Sequence, residues 1–152
     1  MNARCLGISL AVLLLSALAL GKNADESLDA LKARAEKARP QDQAHLFAEI
    51  AYREVNEADR FYTEGDIAAA TKAVDDLVSY AARATDASQK TGKHLKDTEI
   101  LLRSTARRLD EVRKTLNFDD RPYVEAAVKQ VEKLRQQLLD QMFGGSSRGN
   151  KP

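Results

Sequence analysis

Gly92-Lys93-His94, inside the stretch QKTGKHLKD at 89–97, is the first place in this chain to look for chemistry. A Gly-Lys pair cradles phosphate when another glycine stands five residues before it, a Ser or Thr comes after it, and a strand leads into the turn. Ala87 and His94 occupy the two positions, and the flanking pattern is helical, so this is not a nucleotide loop. Lys90, Lys93, His94 and Lys96 remain as a small anion-binding patch or an ordinary solvated face.

Metal or haem would need ligands that converge. His45, His94 and Met142 are the candidates, and Asp42-x-x-His45 offers two donors on one helical turn. The chain lacks the paired Glu-x-x-His motifs of di-iron bundles and the second histidine of a helical zinc motif. Surface histidines and a core methionine are the expectation, with no cofactor. Hydrolysis fares no better. No G-x-S-x-G elbow is present, and Glu54, Glu57 and Asp59 read either as paired carboxylates or as a solvated face. Arg103, Arg107, Arg108, Arg113 and Lys114 form a basic segment that Asp110 and Glu111 interrupt, so pairing is expected there and not nucleic-acid binding. No catalytic, cofactor-binding or metal-ligating residue is assigned, and the chain is expected not to be an enzyme.

The elements that would position any site are all helical. Between Lys22 and Phe143 the only glycines are Gly65 and Gly92, and the only prolines are Pro40 and Pro122. Ala, Leu, Lys, Arg, Glu and Gln dominate, and no strand-like alternation occurs. A first helix at about 25–38 carries Leu28, Leu31, Ala35 and Ala38 on one stripe until Pro40 ends it. A second at about 41–63 points Phe47, Ile50, Ala51, Val55, Ala58, Phe61 and Tyr62 inward, with Gly65 as a left-handed cap and Asp66 capping the next helix.

From Ile67 to Leu116 a three-four alternation runs across Gly92 without a slip of phase. The favoured reading is one central helix, about 66–117, roughly 75 Å long at 1.5 Å per residue, carrying an elongated antiparallel bundle. The alternative is a break near Gly92 and a compact up-and-down four-helix bundle. Ser88, Thr91, Thr98 and Thr105 make the seam too polar for a strong dimeric zipper. The NFDDRP turn at 117–122 precedes a last helix at about 121–142, with Val124, Ala127, Val128, Val131, Leu134, Leu138 and Met142 inward.

Residues 58–77 resemble one tetratricopeptide helical hairpin, with Ala58, Phe61, Gly65, Ala70 and Val74 near that repeat's small, aromatic, turn, small and bulky positions. The resemblance covers one repeat. Ala82 stands where the closing proline would be, and no second copy occurs at the repeat's spacing. The leader, the alanine-rich helices and TEILLRSTARRLDEVR together look like exported bacterial helical proteins of unknown function, which implies a fold and no activity.

Arg4 and the uncharged run LGISLAVLLLSALAL read as a secretory signal spanning 1–21, too short for the ~20 apolar residues of a membrane span. Cleavage is expected after Ala19 or Gly21, leaving no stable membrane anchor, a single domain over 22–143 and a flexible tail over 144–152. Cys5, the only cysteine, would leave with the signal, which excludes disulfides, thiol catalysis and covalent haem from the mature chain. The 24 Lys plus Arg, less Arg4, leave 23 against 23 Asp plus Glu, a balance that argues against binding nucleic acid or anionic membranes. The expectation is a protein exported to a periplasm or beyond, acting through a protein partner or self-association; a small-ligand or anion-binding bundle is the alternative.

Overall fold

The computed structural model describes residues 26–144, and among them lie five helices and no strand. They are α1 (Leu28–Lys37), α2 (Pro40–Glu64), α3 (Ile67–Thr91), α4 (Leu95–Thr115) and α5 (Arg121–Phe143). The all-helical bundle read from the composition is the fold. The expected leader, and the expected tail from residue 145 onward, lie outside the described residues.

Local chemistry sets most boundaries. Ser27 caps α1 by accepting from the Ala30 amide at 3.2 Å. Arg39 is extended ahead of Pro40, which opens α2 where its missing donor costs nothing. Gly65 adopts φ 79°, so the Asp66 amide reaches back to the Phe61 carbonyl while the Asp66 carboxylate caps α3 through Ala69 at 3.0 Å. The reversal between α2 and α3 is therefore only two residues long.

The continuous central helix is not formed; the chain breaks at Gly92, as in the compact alternative. Thr91 turns its hydroxyl onto the Ala87 carbonyl at 2.8 Å, and Gly92 (φ 65°) and His94 (φ 57°) are both left-handed. Helix α4 then returns alongside α2, with Arg108 3.4 Å from Asp59. Periodicity missed the break for a physical reason. Three linking residues take up about one helical turn, so both helices keep their stripe inward and the count never slips.

Helices α2 and α3 make the most extensive contact; α4 lies beside α2 and α5, and α5 beside α3 and α4. The main core runs between the two hairpins through Val55, Leu77, Leu102, Leu109, Val124, Val131 and Leu138. A smaller core lies beneath α1, where fully buried Leu31 and Ala35 meet Leu46, Phe47, Ile50 and Ala84. The polar seam residues are satisfied inside: the Ser88 and Thr98 hydroxyls share a 2.8 Å hydrogen bond, and Thr105 donates to the Leu101 carbonyl. Glu99, nearly buried, receives Arg135 at 2.7 Å and fastens α4 to α5.

Candidate functional site

Short α1 lies over α2 and is tied to its surroundings by charge. Arg53 donates to the Glu26 carbonyl at 2.7 Å, Arg34 pairs with the Glu26 carboxylate, and Arg83 of α3 reaches Glu36 at 2.7 Å. The Arg83 guanidinium lies 4.0 Å from the Phe47 ring centroid, so the same cation covers the small core. Where α1 begins, it leaves an open cleft of about 350 Å³ between itself, α2 and α3.

Glu54 is the unusual group in that cleft. It occupies an inward position on α2, one turn from Ile50 and Ala51 and one turn before Ala58, and is only 3 % exposed. Its Oε1 is enclosed by protein, and the Lys32 ammonium stands 2.5 Å away as its ion-pair partner. Asp76 of α3 lies 3.7 Å from the same ammonium and 2.8 Å from Lys72. Burial pushes the Glu54 carboxyl above its usual range, and the pull of Lys32 does not offset this. Burial opposes the charge on Lys32 too, but Glu54, Asp76 and Tyr80 together hold it above the ordinary lysine value. The pair is thus unequal, because the carboxylate is the more deeply enclosed partner.

Leu28, Phe61, Ala69 and Ala73 give the cleft an apolar lining, and Asp29 and Glu57 add two more carboxylates. Four carboxylates against the two ammonium groups of Lys32 and Lys72 make it attractive to cations and repellent to anions. Of the three acidic residues that clustered in the sequence, Glu54 and Glu57 reach this cleft and Asp59 faces Arg108 instead. Sequence reasoning passed over Lys32 and Asp76. A signal for Glu54 was present, since a carboxylate stood on the same stripe as Phe47, Ala51 and Ala58.

A second concavity runs along the seam of α3 and α5. Tyr123 donates to Asp75 at one end, and Gln141 donates to the Gln89 carbonyl at the other, at 3.3 Å. Between these ties, two adjoining hollows of about 350 and 340 Å³ share Val78 and Gln130. Small Ser79, Ala82, Ala126 and Ala127 hold the groove open, and the partly buried Val78 and Leu134 supply apolar surface.

The remaining candidates separate. His45 and His94 meet with ring centroids 6.3 Å apart, both exposed, and Asp97 lies 3.4 Å from His94 Nδ1. Asp42 is taken by Arg39 at 2.8 Å, and Met142 is half-buried in the last turn of α5. Among the described residues no group of three or more His, Cys, Asp or Glu side chains is placed to hold a metal ion. Lys90 pairs with Asp86, and Lys93 and Lys96 are exposed at the joint. The basic segment of α4 is paired largely within its own helix, Arg113 and Lys114 both meeting Asp110.

Compared with models of protein families, with curated proteins and with solved structures, the chain finds no match.

Proposed function

We propose that this chain is an exported helical interaction protein, without an enzymatic activity of its own, that docks a segment of another polypeptide along the α3/α5 groove. The groove carries the reading. Its walls are tied at both ends, by Tyr123 to Asp75 and by Gln141 to Gln89, so it exists before any partner arrives. From Tyr123 to Gln137 it extends roughly 20 Å at 1.5 Å per residue, the length of about four turns of a docked helix. Small side chains allow a partner backbone close approach, and Val78 and Leu134 supply the apolar contact that helix-in-groove recognition uses.

The leader-like sequence around Leu6 to Leu20 supports export, and no described helix is long and apolar enough to cross a membrane. A small-ligand-binding bundle is the second reading, favoured by the Glu54 cleft; its surplus of carboxylates argues for a cation and against an anion.

Cross-linking in the native envelope, coupled to mass spectrometry, tests the groove. Ala82→Arg and Ala126→Arg fill it with bulk and charge, whereas Arg107→Glu changes an exposed residue of α4. A partner captured with the wild-type chain is expected to disappear with both groove variants and to persist with Arg107→Glu. Persistence with the groove variants sinks the reading, and capture of the chain only with itself turns it to self-association.

A further inference from the structure

We propose that His45 and His94 together form a binding site for a divalent transition-metal ion of the zinc and copper class. The site is open and exchangeable, and it shares no residue with the α3/α5 groove.

The chain has two histidines, one in α2 and one in the joint between α3 and α4, and folding sets them against each other. Their ring centroids stand 6.3 Å apart at an interplanar angle of 40°. Two imidazoles joined by one ion, at Zn–N distances of about 2.0–2.1 Å, place their ring centres about 5–6 Å apart. A small rotation of either exposed side chain therefore closes the site. The left-handed backbone of His94 (φ 57°) belongs to the reversal that brings its ring back to α2.

Imidazole nitrogen selects zinc, copper and nickel over magnesium and calcium, which take oxygen. Asp97 lies 3.4 Å from Nδ1 of His94. A carboxylate on that side holds Nδ1–H and leaves Nε2 with the lone pair that a metal takes. Among the described residues no group of three or more ligands converges, so water fills the remaining positions of the ion. Asp42, one turn before His45, is held by Arg39 at 2.8 Å, and Lys93 and Lys96 are exposed at the joint. The local field thus does not draw the cation in, and nitrogen coordination supplies the affinity. A bound ion fastens α2 to the α3/α4 reversal.

Calorimetric titration of the untagged chain tests the site with the chlorides of zinc, copper and magnesium, at mildly alkaline pH because imidazole ligates in its neutral form. One ion per chain is expected for Zn²⁺, tighter binding for Cu²⁺ and none for Mg²⁺. NMR of the imidazole groups is expected to show both histidines shifting together as Zn²⁺ is added. His45→Gln and His94→Asn should each weaken Zn²⁺ binding by at least about tenfold, the lower end of what losing even an outer-shell partner costs. Asparagine is chosen at His94 because it tolerates left-handed backbone. Asp97→Asn should weaken binding in the same direction. The proposal is overturned by no saturable heat with either Zn²⁺ or Cu²⁺, by equal binding of Mg²⁺, by undiminished Zn²⁺ binding in either folded histidine variant, or by a shift of only one histidine.

Discussion

The Lys32 ammonium lies 2.5 Å from Glu54 Oε1, joining the first described helix to the second, yet the contact does not bring the carboxyl down to its ordinary range. Burial weighs more on Glu54, which is 3 % exposed, than the ion pair returns. Breaking the pair from the lysine side should therefore be worse than never having had it. Lys32→Met is expected to lower the unfolding free energy by about 1–3 kcal/mol, because an enclosed acceptor loses its counter-charge. Urea denaturation measures this, and Lys72→Met, at the exposed rim, should barely shift the midpoint. Equal effects from the two lysines would contradict the account.

The same carboxyl makes a pH prediction with a definite sign. A folded-state value above the reference 4.5 means that the native chain holds the Glu54 proton more tightly than the unfolded chain does. Its stabilising contribution is complete below pH 4.5 and is lost as pH rises through the folded value. The stability of wild type minus that of Glu54→Gln should accordingly fall on going from acid to neutral pH. A difference that rises over that interval would show the ion pair, not burial, to be dominant.

Ser88 and Thr98 share a 2.8 Å hydrogen bond across the joint between α3 and α4, and both are fully buried. Ser88→Ala strands the Thr98 hydroxyl and should cost about 1–3 kcal/mol. The double variant Ser88→Ala/Thr98→Val removes both partners and should cost less than the sum of the singles. A thermodynamic cycle from chemical denaturation checks it; strict additivity would mean that the hydroxyls do not support each other.

Gly92 holds φ 65° at the end of α3, where nothing lies within 4 Å of an added Cβ. Space is free, so the penalty of Gly92→Ala is conformational, about 1 kcal/mol or somewhat more. The substitution also favours a straight helix through an unbroken stripe. Part of the population should then open at the joint and exchange hairpins between two chains. Light scattering after size exclusion should reveal a new dimer, and a purely monomeric, equally stable Gly92→Ala chain would argue that the turn is not strained by a side chain.

Tyr123 donates its phenolic hydrogen to Asp75, which pushes its pKa up to about 12. Because the folded value is raised, the contribution of this tie is whole below pH 10 and is lost as pH climbs through about 12. Ultraviolet titration should show a late-ionising tyrosine that disappears in Tyr123→Phe. Asp75→Asn should bring that tyrosine back toward 10, the unperturbed value. An unchanged titration in Asp75→Asn would break the assignment.

The sequence by itself determined that the chain is helical and where most helices end. Pro40, the Gly65-Asp66 turn and the 117–122 turn act through the backbone within a few residues, so their effects are readable without any partner. Which residues point inward was also legible, and Glu54 stood on an inward stripe for the same reason that Val55 and Ala58 lie buried. The path of the chain after Gly92 was not legible, because a straight helix and a reversal of about one turn leave the same hydrophobic phase. Tertiary packing decided that reversal, placed α4 beside α2 and α5 beside α3, and brought His45 to His94. It also gathered Lys32, Glu54 and Asp76 from three helices into one cleft. Such distances depend on how whole faces fit together, and hydrophobic period and capping describe each helix only one at a time.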